Sequence, residues 1–152
     1  MGSALSVGEP HDADPLAAPD RVTLLCESPE GWRRLCRMIT KAHSRRDKAL
    51  EARDTRARNR IRVDWDELEA EAGHWSVLLR GDERLRPDLL DRAHRAFGDR
   101  LAVDVSHSLL RRTAQINRYV AALSEERRIP IVASGDVRCA WPQDRRLLDA
   151  LI

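Results

Sequence analysis

The pattern of hydrophobic and polar positions divides the chain into short apolar runs and longer amphipathic segments. The short runs predict four strands, at residues 21–27, 75–81, 100–106 and 129–137. Apolar residues at helical spacing predict helices at 30–43, 63–74, 86–98 and 111–128, and one more that begins near residue 142. The order β-α-α-β-α-β-α-β-α predicts an α/β fold with parallel strands and helical crossovers.

Local signals indicate where the first helices begin and how they pack. Ser28 is a suitable N-cap, Pro29 suits the first helical position, and Asp64 is expected to cap the second helix. The apolar stripe of the first helix is expected to face the core and consists of Trp32, Leu35, Cys36, Ile39 and Ala42. The run at 129–137 is expected to be a buried strand that ends in a Gly-Asp turn.

Two segments lack apolar periodicity. Residues 1–20 contain three prolines and two glycines and are expected to form a disordered or irregular N-terminal segment, so that the domain itself spans 21–152. Residues 44–62 are expected to form a basic loop or a frayed helix. A basic loop of this kind is typical of either a solvated face or a contact with a polyanion.

The basic residues are concentrated in one block of a chain whose formal net charge is only +2. Between Arg33 and Arg62 there are twelve lysines or arginines and three acidic residues. The candidate nucleic-acid contacts in this block are Arg45, Arg46, Lys48, Arg56, Arg58 and Arg60. The block lacks interleaved aromatic side chains, which single-strand binding proteins use to stack bases.

Composition restricts the compartment and the chemistry. The chain contains no apolar run long enough to span a membrane and no secretory leader pattern, so no membrane association is expected. Three widely spaced cysteines without a CxxC pair favour a reduced, cytoplasmic location. Glycine-rich phosphate loops and a G-x-S-x-G elbow are absent from the sequence.

A few polar residues follow predicted strands, where α/β proteins often hold their functional groups. Asp136 lies in "SGDVR" after the fourth strand, His107 follows the third, and Asp82 follows the second. Arg138 lies two residues beyond Asp136, and a guanidinium has no lone pair with which to bind a metal. We therefore expect the Asp136 carboxylate to form an ion pair or a cap more readily than to bind a metal.

Three stretches of the chain resemble one known family in the same order along the sequence. "VTLLCESPEGWRRLCRMITKAH", "RLAVDVSHSLLRR" and "RIPIVASGDVRCAWPQDRRLLDAL" resemble segments of bacterial C-family DNA polymerases, the polymerase III alpha subunits, and Trp32 favours the error-prone paralogue. The resemblance covers roughly residues 21–152. It implies the later part of a polymerase and histidinol phosphatase (PHP) domain, which is a distorted β/α barrel, so we expect a partial barrel here.

The same resemblance implies a position for a metal site at the strand ends. PHP domains bind zinc, manganese or magnesium with His, Asp, Glu and Cys ligands and activate water against a phosphoester. The positions that match such ligands are Ala4, Arg21, Asp82, Asp136 and Arg138, of which only Asp82 and Asp136 could bind a metal. The family's early His-x-His motif has no counterpart in this chain. No cofactor is therefore expected in this segment.

The resemblance thus implies a structural, metal-degenerate part of an error-prone DNA polymerase that acts in DNA replication and translesion synthesis. Its expected partners are the remainder of a polymerase alpha subunit or other translesion proteins, and DNA. The chain alone is not expected to polymerise DNA, because it contains neither palm carboxylates nor fingers. Two alternatives stay open at this point: an active PHP-class phosphoesterase or exonuclease, and a nucleic-acid-binding module.

Overall fold

The computed structural model describes residues 1–8, 20–45, 62–106, 110–134, 141 and 143. These described residues form five strands and four α-helices, and a short 3-10 turn at Gly98–Arg100 precedes the fourth strand. In chain order the elements are β1 (Gly2–Val7), β2 (Asp20–Cys26), α1 (Pro29–Ser44), α2 (Trp65–Ala70), β3 (Trp75–Arg80), α3 (Pro87–Phe97), β4 (Leu101–Val105), α4 (Arg111–Glu126) and β5 (Ile131–Ala133). The predicted final helix lies outside the described residues, apart from Trp141 and Gln143.

The strands form one sheet in the order β1-β2-β3-β4-β5. β1, β2 and β3 pair antiparallel, whereas β3, β4 and β5 pair parallel. The α/β class is confirmed, but the prediction of a wholly parallel sheet is wrong for β1 and β2. Within the described residues the sheet is open at β1 and β5, and the partial β/α barrel stays a prediction.

The described residues between β2 and β3 include two helices, and their directions account for the antiparallel pairing of the two strands. Arg34, near the start of α1, donates to Glu71 beyond the end of α2 at 2.6 Å. Arg45, at the end of α1, contacts Asp64 and Glu67 at the start of α2. The two helices are therefore antiparallel, and the second pass returns the chain to the end of β2. A single crossover helix would have produced a parallel pair.

β1 corrects the expectation that residues 1–20 are disordered or irregular. Gly2–Val7 pairs with β2 along its whole length, and the side chains of Leu5 and Val7 are buried. The strand is short and half-buried, so its apolar signal is only two residues at period 2. The extent of the domain, predicted as 21–152, therefore includes at least these N-terminal residues in the sheet.

All buried strand residues face the helices. The alternating positions of the three central strands form the core, namely Val22, Leu24, Trp75, Val77, Leu79, Leu101 and Val103. Each of these side chains is at most 2% exposed, and burial of a Val or Leu contributes about 1.5–3 kcal/mol. The opposite face of the sheet is partly exposed, with Leu25 at 42%.

α1 begins as predicted but is rotated relative to the expected stripe. Ser28 Oγ accepts a hydrogen bond from Gly31 N at 3.1 Å, which confirms the N-cap. The buried residues of α1 are Gly31, Leu35, Met38 and Ala42, whereas Trp32 and Cys36 are exposed. The rotation follows from a close approach, because a Cβ at Gly31 would lie 2.4 Å from the His74 carbonyl oxygen.

Two further expectations, the cap formed by Asp64 and the burial of the last strand, are corrected by the structure. Asp64 precedes α2 but makes no side-chain cap, since its carboxylate contacts Arg45 at 3.1 Å. β5 is not buried, because it is an edge strand of three residues in which Ile131 and Val132 are 40% and 42% exposed. Among the described helices, none is both long enough and apolar enough to cross a membrane.

Candidate functional site

The carboxyl ends of β3 and β4 form a polar rim on one edge of the sheet. Two adjoining clefts, of about 410 and about 280 Å³, lie on either side of the loop that follows β3, and both are lined by Arg80, Asp82 and Glu83. Gly81 sets the position of this loop, because its N–H donates to Asp104 O at 2.8 Å and a Cβ there would lie 2.9 Å from Val103. This is the rim at which the sequence placed the candidate metal ligands.

Asp82 lies on the rim as predicted, but both of its carboxylate oxygens have protein partners. Oδ2 lies 3.1 Å from Arg80 Nε, and Oδ1 accepts a hydrogen bond from the Arg84 backbone N at 2.9 Å. A metal at this carboxylate would have to compete with the Arg80 guanidinium. In the described ranges no three His, Cys, Asp or Glu side chains come close enough together to hold a metal ion.

Asp104 is a rim residue that the sequence predictions missed. It lines the smaller cleft with Thr113 and Asn117 of α4, and the buried Oδ1 atom has no hydrogen-bond partner. Its side chain lies on the partly exposed face of the sheet, in register with Arg80 of β3. The available signal was an acidic residue inside the apolar run "RLAVDVS", which the strand pattern does not explain.

Of the other predicted ligand positions, some lie outside the described residues and two lie in β1 and β2. Asp136, Arg138 and His107 lie outside the described residues, so the role of Asp136 stays a prediction. Ala4 is in β1, paired with Thr23, and offers no metal-binding group. Arg21 lines the larger cleft beside Asp20.

Of the predicted nucleic-acid contacts, only Arg45 belongs to the described residues. It contacts Asp64 and Glu67 across the α1–α2 interface, and Lys41 also contacts Glu67. Arg45, and secondarily Lys41, lower the pKa of Glu67 to about 2. Arg46, Lys48, Arg56, Arg58 and Arg60 lie outside the described residues and stay predictions.

The structure shows why the charge block overestimates the free positive charge of α1. The sequence "DWDELEAE" that follows the block supplies the acidic face of α2, which packs against the basic face of α1. Near the start of α1, Arg33 and Arg34 lower the pKa of Glu30, which they contact at 2.8 and 3.0 Å. Much of the basic charge on α1 is therefore paired within the fold.

Comparison with known proteins gives one informative similarity. The chain is 30% identical, over an alignment 169 positions long, to a protein of Nocardia farcinica named as an error-prone DNA polymerase, and the alignment includes 98% of this chain. The chain spans only 14% of the length of that relative. No family model matches the chain. The similarity supports a relationship to error-prone DNA polymerases and agrees with the resemblance found in the sequence.

Proposed function

We propose that the chain is a structural, PHP-like segment of an error-prone DNA polymerase, which packs against the remainder of such an enzyme during replication past damaged DNA. The polymerase relationship is supported by the similarity to a protein about seven times longer than the aligned segment, as the 14% coverage implies. Its working location in this proposal is the cytoplasm. The partner is the body of a polymerase, and DNA is held by the complex.

The observation that carries the packing role is the exposure of β5. Ile131 lies on the helix side of the sheet and Val132 on the opposite side, and both are about two-fifths exposed. Strands in parallel sheets are normally covered on both faces, and an open edge has unpaired backbone groups. An apolar edge strand of this kind is typical of a surface that another part of a larger protein covers.

The contacts at the rim favour a structural role over the phosphoesterase alternative. Asp82 is engaged by Arg80 and by a backbone N–H, and the family resemblance assigns Ala4 and Arg21 to positions where metal ligands would be expected. A catalytic zinc needs about three protein ligands and a two-metal site needs more. Metal content after dialysis tests this part of the proposal, with Asp136→Ala as the comparison. About one bound metal per chain in the wild type that is lost in Asp136→Ala would favour the phosphoesterase.

Association in trans tests the packing role directly. The Nocardia farcinica polymerase without its matching segment is mixed with the 152-residue chain, and co-elution and primer extension past an abasic site are measured. We expect the wild-type chain to co-elute and Ile131→Asp to lose association, because a charge would be buried at the new contact. Trp32→Asp is the control, since Trp32 is 43% exposed but lies on α1. Equal association of wild type and Ile131→Asp would contradict a contact through β5.

A further inference from the structure

The outer surface of α4 has a stripe of basic and aromatic side chains that the fold does not use. Arg111, Gln115, Arg118 and Tyr119 are all exposed, and their spacing of four, seven and eight residues places them on one face of the helix. Tyr119 is the only tyrosine in the protein and is 48% exposed. We call these four residues the α4 stripe.

The two arginines of the α4 stripe have no ionic partner in the described part of the chain. No described carboxylate lies within 4.0 Å of either guanidinium, whereas the neighbouring Arg112 contacts Glu83 at 3.0 Å. The basic residues of α1 behave differently, since Arg34 and Arg45 each contact a carboxylate of α2 or its flanks. Within the part of the chain that the structure describes, nothing neutralises the positive charge of the α4 stripe, so it is available to an external ligand.

Helix stability does not explain these charges. α4 has no acidic residue in its first turn, no basic residue in its last turn and no side-chain N-cap. Arg111 lies at the positive end of the helix macrodipole, where a cation is unfavourable. Residues that break a local stability rule without an internal compensation are often placed for binding.

We infer that the α4 stripe binds single-stranded nucleic acid, an inference that rests on the proposed polymerase function because a polymerase handles an unpaired template strand. Guanidinium groups pair with phosphate oxygens, and an exposed tyrosine ring stacks on a base. An aromatic ring beside the basic residues is the feature that the basic block at 44–62 lacks. Gln115 supplies a donor and an acceptor between the arginines.

Charge favours this ligand over an apolar protein surface. Two guanidinium groups without a described carboxylate partner would lose hydration against an apolar surface without gaining a counter-ion. The polyanionic backbone of a nucleic acid supplies counter-charges, and its bases supply flat faces for Tyr119. An acidic polypeptide would supply negative charges but no base to stack on Tyr119. A requirement for Tyr119 therefore distinguishes a nucleic acid from an acidic polypeptide.

The test measures binding of the 152-residue chain to a fluorescein-labelled oligothymidylate by anisotropy, between about 50 and 200 mM NaCl. Arg111→Gln/Arg118→Gln removes both charges of the stripe. The control Arg95→Gln/Arg128→Gln removes the same net charge from two exposed arginines elsewhere that have no described carboxylate within 4.0 Å. Log K falls as log salt rises, and we expect this slope to be less steep by about 1.4 in the stripe variant, or about 0.7 for each lost phosphate contact. The control variant should keep the wild-type slope.

Substitution of Tyr119 separates stacking from charge. Tyr119→Ala is expected to weaken oligothymidylate binding roughly 5- to 150-fold, while Tyr119→Phe keeps most of the affinity because the ring remains. Competition with polyglutamate provides a second readout. The inference would be overturned if the wild type did not bind the oligonucleotide, or if the control variant lost as much affinity as the stripe variant. Normal binding by Tyr119→Ala, or displacement of the oligonucleotide by polyglutamate of equal total charge, would also overturn it.

The result is independent of the association test for the proposed function. That test depends on β5 and on a polymerase body, whereas oligonucleotide binding needs only the chain and the α4 stripe. A chain that associates through β5 but fails to bind the oligonucleotide would remove the inference and leave the structural role. A chain that binds the oligonucleotide but does not associate with the polymerase body would remove the structural role and leave the inference about the α4 stripe.

Discussion

The two parts of the sheet differ in how many of their charges are paired, and how many of their apolar side chains are buried, within the chain. The antiparallel part consists of β1, β2 and β3 with α1 and α2, and the parallel part consists of β3, β4 and β5 with α3 and α4. In the antiparallel part the charges at the α1–α2 interface are paired, and β3 alternates between buried and half-buried residues, although Leu25 and Trp32 are exposed. In the parallel part β5 is exposed on both faces, and Arg111 and Arg118 of α4 have no carboxylate partner among the described residues.

This difference indicates where binding is expected. Paired charges and buried side chains contribute to stability but leave little surface to recognise another molecule. Exposed apolar residues, and charges without a described partner, add little to the stability of the isolated chain. Their presence is therefore better explained by contacts with another molecule. The antiparallel part should therefore dominate stability, and the parallel part should dominate binding.

The largest expected effect is the loss of the central tryptophan of the antiparallel part. Trp75 is fully buried, and its Nε1 donates to Gly31 O at 2.9 Å. Trp75→Ala should lower the free energy of unfolding by about 3–5 kcal/mol. Ile131→Ala in β5 should lower it by less than about 1 kcal/mol, because the side chain is 40% exposed. Urea denaturation of both variants checks the contrast, and similar losses would contradict it.

A smaller effect is expected where a glycine permits a close backbone approach. Gly31→Ala would place a Cβ 2.4 Å from a backbone carbonyl oxygen of His74, which cannot move without shifting β3. We expect a loss of about 1–3 kcal/mol, as for other overpacked sites. Gly81→Ala in the parallel part has its nearest contact with a Val103 methyl at 2.9 Å, so its loss should be the smaller of the two. Thermal unfolding monitored by circular dichroism compares them, and a larger loss at Gly81 would reverse the ranking.

The ion pairs between α1 and α2 predict a pH dependence with a defined sign. The pKa of Glu67 is lowered from 4.5 to about 2, chiefly by Arg45 and then by Lys41. A lowered pKa in the folded state stabilises the protein above the unfolded value, and this contribution is lost as the pH falls from about 4.5 towards 2. Glu67→Gln should therefore cost about 1 kcal/mol at neutral pH and progressively less in acid.

The matched control for this pH effect is Glu83→Gln. Glu83 pairs with Arg112 in the parallel part, where both side chains are more than half exposed, so the loss should be smaller. Urea midpoints of both variants and of the wild type across the acid range measure the difference. A constant difference between Glu67→Gln and the wild type down to about pH 2 would contradict the assigned pKa.

The smallest expected effect has the opposite sign. Arg111→Gln removes a cation from the first turn of α4 and should stabilise the chain by roughly 0.3–1 kcal/mol. Arg118→Gln is the control, since it lies in the middle of the helix, beyond the reach of the terminal dipole, and should be neutral. Low-salt thermal unfolding measures both. Destabilisation by Arg111→Gln would show that this charge has an internal role.

The sequence by itself determined the local structure. The predicted spans agree with α1, α3, α4 and β4 to within a few residues, because N-caps, helix-initiating prolines and apolar periodicity act over a few neighbouring positions. The order of strands and helices, and with it the α/β class, follows from the same local signals. The similarity to error-prone polymerases was also visible in the sequence motifs.

Only the tertiary structure decided the direction of β2 relative to β3, the rotation of α1 and the pairing of its charges. Each depends on contacts between residues more than twenty positions apart, such as Gly31 with His74 and Arg45 with Glu67. The cleft that Asp104 shares with Arg80 and Asn117 likewise depends on residues that are distant in sequence. Local propensity contains no information about such contacts, since their free energy arises only when separate elements meet.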